Sequence, residues 1–357
     1  MSWPQHVLIR GSNGEGERGA IKSIGSEVLM GHIRYIALGN ATVDYVTQSD
    51  GRHIERMPGG DAIYAAMGMR IWSREVGVVT IVDRHYPAQW LTALEDAGID
   101  VQGIRRSSLP FGIEAHMVYH ADGLRSWSAP RGILGYTVYR VPRLASWFGR
   151  WQSTAFSPTA ENIPEAYLTA DAAHVAPMAV ARQNSCLTKL RQHVRTITLD
   201  LLPGFLARNA KGDLLIPELK LADVVLPSEQ EVHEYWGAVS LADGAAEFRS
   251  RGAKRLVVKL GDRGAWIQDP IAQREHYTPV YPASVTDTTG AGYSFCGGFV
   301  VGWNETHDIL EAALYGTISA SFVIEGTGAL HTVTVTREQA EDRLQQLRQI
   351  MLRDERS

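Results

Sequence analysis

The sequence predicts an α/β fold in which a mainly parallel sheet is covered by helices on both faces, a three-layer αβα sandwich, with a small β lid at one side. Three observations predict it. Short, almost wholly apolar runs recur along the chain with helix-like stretches between them, the pattern of parallel strands buried on both faces. The run from Glu75 to Val82 is too apolar for a strand with one wet face. One stretch breaks the alternation: Gly112 to His120 and Leu124 to Ser128 read as a hairpin about Ala121-Asp122-Gly123, whose Asp-Gly pair favours a tight turn.

Taken in order, residues 1–29 hold the polar, glycine-rich stretch Gly11 to Gly19, and Met30 stands just before the first convincing strand. They are expected to be a disordered extension or to reflect a start set too early. The domain is expected to run over residues 30–357. Ile33 to Leu38 is its first strand, ending at Gly39-Asn40, and Tyr45 to Gln48 continues beyond the turn as an edge strand. Gly59-Gly60 opens a helix over Asp61 to Trp72. After the strand at 75–82, further strands are expected at Ala172 to Ala176, Thr196 to Leu201, Ala222 to Leu226 and Arg255 to Leu260. The lid is expected around residues 40–57 and 110–130, with strands near 36–48 paired to the hairpin. Arg131 to Pro164 reads as irregular; its Trp147 and Trp151, with Trp127, either pack the appendage or a dimer contact or stack on a ligand. Phe295 to Val301 reads as a buried helix, and Thr336 to Arg353 as an amphipathic one whose charges face solvent.

Composition narrows the function. With 35 basic and 39 acidic residues the net charge is −4, so the chain lacks the electrostatic footprint for nucleic acid or an anionic membrane. Small molecules are the expected partners. The two cysteines, Cys186 and Cys296, form no C-x-x-C pair, which argues against a disulfide framework or structural zinc site and suits a reducing, cytoplasmic setting. No apolar run approaches the ~20 residues of a membrane span.

The chemistry centres on Asp287-Thr288-Thr289-Gly290-Ala291-Gly292-Tyr293-Ser294-Phe295. A turn of such small residues running into a buried helix aims unpaired N–H groups and the positive end of the helix dipole at one point. That is an anion site. Here the sequence resembles the ribokinase-like (PfkB) carbohydrate and nucleoside kinase family, whose signature reads D-T-x-G-A-G-D and whose final aspartate takes the proton of the acceptor hydroxyl. Tyr293 stands at that aspartate's position.

The resemblance extends over residues 33–340 in matching order. It implies a ribokinase-like fold and an ATP- and Mg2+-dependent kinase acting on a sugar, nucleoside or related polyol. The hairpin over Gly112 to Ser128 cannot bury both faces alone and is expected to pack on bound substrate or on a second copy, with a homodimer through the lid as the expected outcome. Gly39-Asn40-Ala41-Thr42-Val43-Asp44 resembles the opening G-x-x-x-x-D, whose carboxylate accepts hydrogen bonds from substrate hydroxyls. Gly59-Gly60 resembles the family's glycine pair, next to which Asp61 becomes a further polar candidate and Tyr64 stands near a place often held by asparagine. Ser228 to Glu231 resembles N-x-x-E, which together with Asp287 implies outer-shell acceptors for magnesium. Lys259, Gly261 and Gly264 resemble the nucleotide-side turn, with Asp200 and Thr288 near the phosphates. Gly290, Ala291 and Gly292 are the implied anion hole.

The substitution at Tyr293 divides the functional expectation. A neutral phenol, ordinarily of pKa about 10, is a poor base near pH 7; a helix N-terminus lowers that value and burial raises it. A kinase with slowed proton removal is one outcome, with Asp61 as a substitute acceptor. A binder of nucleotide or sugar without catalysis is a second, and different chemistry on a phosphorylated compound in the same pocket is a third.

Overall fold

The computed structural model describes residues 32–354, apart from 48–50, 52, 120–124, 128–141, 205–206, 209–212 and 270–273. The expectation for residues 1–29 lies outside the described residues. In chain order the first half comprises β1 (Tyr35–Leu38), β2 (Thr42–Thr47), β3 (His53–Gly59), α1 (Asp61–Arg70), β4 (Val76–Val82), α2 (Ala88–Asp96), β5 (Ile99–Arg106), β6 (Ile113–Tyr119), β7 (Arg125–Trp127) and α3 (Pro142–Phe156). The second half comprises β8 (Ala172–Val175), α4 (Val180–Arg191), β9 (Thr196–Leu199), β10 (Val224–Val225), α5 (Glu229–Trp236), α6 (Leu241–Ser250), β11 (Leu256–Lys259), β12 (Ala265–Asp269), β13 (Arg274–Thr278), α7 (Ala291–Thr306), α8 (Ile309–Val323) and α9 (Arg337–Asp354).

Nine strands form the main sheet in the order β13-β12-β11-β10-β9-β8-β1-β4-β5. The pairs from β11 through to β5 are parallel, while β11–β12 and β12–β13 are antiparallel and close one edge. Alternate side chains of β1 divide between two cores: Ile36 and Leu38 pack with Leu187, Leu190, Val232 and Phe248, whereas Tyr35 and Ala37 pack with Ile63, Val300, Leu314 and Leu344. Thus α4, α5 and α6 cover one face and α1, α7, α8 and α9 the other. The three-layer sandwich predicted from the apolar runs is observed.

Beside it stands a four-stranded sheet, β3-β2-β6-β7. Its β6 and β7 pair antiparallel as predicted, with the turn itself outside the described residues. The strand next to the hairpin is β2, within the stretch 36–48 expected to pair with it. β1 belongs to the main sheet, and β2, reached through the sharp break at Gly39–Ala41, pairs parallel with β6 and antiparallel with β3. The stretch read as irregular contains the 15-residue α3, whose Gln152 amide donates to Gly112 O (3.0 Å) and so ties the helix to the start of β6. Trp151 lies 6.0 Å from the Phe111 ring, a packing contact. The strand expected at 222–226 is only Val224–Val225.

Two helices approach so closely that their backbones touch. A β-carbon on Gly68 of α1 would strike the Ser294 carbonyl, and one on Gly297 of α7 would strike that of Ala65. The crossing sets the first turns of α7, at residues 294–297, against residues 65–68 of α1. Among the described residues no helix is long and apolar enough to cross a membrane.

Candidate active site

The site is assembled where β1, β8, β9 and β11 end and α1 and α7 begin. The turn before α7 is fixed by its own residues. Asp287 Oδ1 accepts the Thr289 amide at 2.9 Å, and Gly290 sits at φ 79°, a left-handed conformation that favours glycine. A side chain at Gly290 would also fall on the Tyr64 ring. The Ala291 amide turns back to Thr288 O (3.3 Å), and the helical ladder starts with Ser294 N to Gly290 O (2.8 Å). The amides of Gly292 and Tyr293 thus precede the ladder and belong to the open helix end. Of the three residues in the implied anion hole, Gly290 shapes the turn, Ala291 spends its donor internally, and Gly292 presents one. Thr288 is exposed at the rim.

Opposite the turn, Asp44 on β2 is 2% exposed. Its Oδ1 accepts the Thr42 hydroxyl, and its carboxylate lies directly against Gly59, where any side chain would displace it. Burial pushes the Asp44 carboxyl up to about 7; the Thr42 hydrogen bond opposes this and the charge of Asp287 adds to it. Gly60, at φ 96°, lets the end of β3 close on the Asn40 carbonyl, 2.5 Å from where a β-carbon would stand. The glycine pair therefore gives the backbone room around Asp44. Asp61 Oδ1 accepts the Asn40 amide at 2.5 Å, so this carboxylate clamps the loop that carries Asp44. Burial holds its carboxyl well above the usual range.

On the other side, Ser228 and Glu231 cap α5 reciprocally: Ser228 Oγ accepts the Glu231 amide (3.2 Å) and Glu231 Oε2 accepts the Ser228 amide (2.7 Å). One carboxylate oxygen of Glu231 is thereby used in the cap. Burial, then Asp200, push the Glu231 carboxyl to about 7 against the pull of Lys259. Gly261 has open space above its Cα, as a backbone that receives a ligand needs, whereas Gly264 is explained by packing, since a side chain there would strike Thr278 O.

Between these lies a cluster that sequence reasoning only half identified. Lys259 Nζ is 2.5 Å from Asp200 Oδ2 and 3.5 Å from Cys296 Sγ, and Cys296 Sγ is 3.6 Å from Asp200 Oδ2. His174 on β8 completes the group, its Nδ1 2.9 Å from Thr198 Oγ1. Burial, then Lys259, lower the His174 imidazole to about 3, so it is neutral at physiological pH. Asp200 and Lys259 were expected here. His174 and Cys296 were not, although a lone histidine in an apolar strand and a cysteine one helical turn after Gly292 were the available signals.

Tyr293 is half-buried at the start of α7. Burial first, then the charges of Asp61, Glu231 and Asp200, push its phenol up, and Lys259 only partly opposes them. A phenol in this state donates a hydrogen bond and is a weak proton acceptor.

A family model described as pfkB family carbohydrate kinase matches residues 152–335. A cytidine kinase of Thermococcus kodakarensis is 28% identical over 295 residues, covering 82% of this chain and 96% of that protein. Among solved structures, ribokinase from Giardia lamblia is similar with a TM-score of 0.67 at 17% identity, covering 88% of this chain and 99% of that one. A ribokinase II of E. coli in complex with ATP and Mg2+ is similar with a TM-score of 0.63 at 17% identity, with 88% and 99% covered.

Proposed function

Since the chain belongs to the pfkB family of carbohydrate kinases, we propose that it is an ATP-dependent phosphotransferase acting on a hydroxyl of a sugar, nucleoside or related polyol, with proton removal slowed by Tyr293. The observation that carries this reading is the buried Asp44 carboxylate, laid against Gly59 and within the field of Asp287, facing a phosphate turn formed by residues 287–293. Ionised, Asp44 accepts two hydrogen bonds from a vicinal diol and fixes which hydroxyl is presented. The Gly292 and Tyr293 amides donate to the oxygens of the group being moved.

The donor set fits a magnesium–nucleotide. Asp287 and the second oxygen of Glu231 are the carboxylates that would accept the ion's bound waters, and the open backbone at Gly261 and the exposed Thr288 would receive the nucleotide's phosphates and ribose. When bound, the ion neutralises charge on the phosphates. Asp61 is occupied by the Asn40 amide and positions the Asp44 loop. Tyr293 therefore leaves the acceptor proton without a strong base, a loss ordinarily worth ~10²–10⁴-fold in rate.

A second reading, a ligand-binding protein without turnover, is favoured by one observation, the raised phenol at the position of the catalytic carboxylate. A thermal-shift screen of nucleotides and sugars, followed by transfer assays on the pairs that bind, separates the two. Slow transfer supports the kinase; binding of both ligands with no transfer supports the binder. Absence of binding to either ligand class would refute both.

A further inference from the structure

We propose that Lys259 is the protein's own cation for the phosphate held at the 287–293 turn, with Asp200 as the residue that positions it. The inference rests on the phosphate-site reading above and adds a ligand to it. Lys259 ends β11, and its amide bonds to Pro227 O at 2.9 Å, so the side chain is launched from the sheet's carboxyl edge toward α7. Its ammonium stops beneath the turn. A β-carbon on Gly292 would stand 3.7 Å from Lys259 Cδ and 3.8 Å from Nζ. Because residue 292 has no side chain, the path from the turn to the ammonium stays open, and an anion received by the Gly292 amide meets a positive charge from below.

The ion pair is asymmetric in the way this role requires. Asp200 is 1% exposed and Lys259 is 11% exposed, so the lysine is the pocket-facing member. Asp200 has its other oxygen fixed by the Leu201 amide at 2.9 Å, which makes it a rigid post. Of the remaining neighbours only the Glu231 carboxylate adds to the field of Asp200 on the ammonium. His174 is neutral, and the Cys296 thiol, pushed well up by burial, stays protonated. A buried pair built only for stability gains little over an apolar pair of the same volume. An ammonium that can lean from a fixed carboxylate to a phosphate oxygen forms a charge-assisted bond when ligand arrives.

The test uses the full chain and compares Lys259→Met, Lys259→Arg and the double variant Lys259→Met/Asp200→Asn, titrated with ATP, ADP and adenosine. The double variant removes both charges, so it leaves no orphaned carboxylate to unfold the core. Expected is a loss of at least ~10-fold in ATP affinity in the double variant, about 1.4 kcal/mol, a smaller loss for ADP, none for adenosine, and partial recovery in Lys259→Arg. If a folded double variant binds ATP as tightly as the wild type, Lys259 serves only to neutralise Asp200 and the proposal is overturned. If the wild type binds none of ATP, ADP or inorganic phosphate, the phosphotransferase reading fails and this assignment fails with it.

Discussion

Replacing Asp44 by asparagine should make the protein more stable and less able to bind its acceptor, a combination that separates a substrate-holding carboxylate from a turn cap. The carboxyl is raised from 3.8 to about 7. At about 1.4 kcal/mol per pKa unit this corresponds to an upper bound of about 4 kcal/mol of native-state penalty for carrying the charge. The sign follows from linkage: the folded form holds its proton to higher pH than the unfolded form, so stability falls as pH rises from 4 to about 7. Below about 4 both states are protonated and the penalty is absent. Asparagine keeps an oxygen for the Thr42 hydroxyl and carries no charge. Urea unfolding across pH 4–8.5 should therefore show Asp44→Asn about 1–3 kcal/mol more stable than the wild type at pH 8, with the gap closing toward pH 4. Acceptor affinity should fall at least ~10-fold in the same variant, because the amide replaces one acceptor oxygen by an NH2 donor and its remaining oxygen is already engaged by the Thr42 hydroxyl. A variant that is less stable than the wild type at pH 8, or a gap independent of pH, would falsify this account of Asp44.

Three further outcomes are expected. Tyr293→Asp should raise transfer from ATP to the best-binding acceptor by at least ~10-fold in a coupled assay; a fall would show that the phenol has been recruited to the site. Gly290→Ala should lose phosphate-ligand binding and about 1 kcal/mol or more of stability, since the residue is left-handed at φ 79° and its side chain would fall on the Tyr64 ring; unchanged thermal shifts with ATP would remove the turn from the site. Sedimentation should find a homodimer formed through the lid, and a monomer at every concentration, with or without ligand, would count against that contact.

The main sheet was legible because β1, β4, β8, β9 and β11 are buried on both faces, so each announces itself as an unbroken apolar run. β5 was not, because its exposed Gln102, Arg105 and Arg106 belong to a sheet edge and dilute the signal. The same holds for the antiparallel edge β12–β13, where Glu275 and Tyr277 face solvent. Within the site, Asp44, Gly59 and the 287–293 turn stand in local motifs and could be read from them. The cluster of His174, Asp200, Lys259 and Cys296 could not, since its members come from three strand ends and a helix that only the sheet order brings together. Strands near 36–48 were expected beside the hairpin, but the division of that stretch between the main sheet (β1) and the small one (β2) did not show. The break at residues 39–41 moves the chain from one sheet to the other within three residues, too short an interval to show in any periodicity.

The parallel pairing of β2 with β6 has a consequence for how the lid forms and fails. A parallel pair cannot close through a tight turn. Between Thr47 and Ile113 the chain builds β3, α1, β4, α2 and β5, so the lid's central rung is laid down across a long loop of core structure. Closing that loop is entropically costly until the core is in place. The lid strands should therefore assemble late in folding. Their amides at the β2–β6 rung should exchange hydrogen ahead of those of the core sheet, and those of β7, at the small sheet's edge, ahead of both. Asp44 on β2 therefore takes up its place in the last part of the molecule to fold, after the core that its strand depends on.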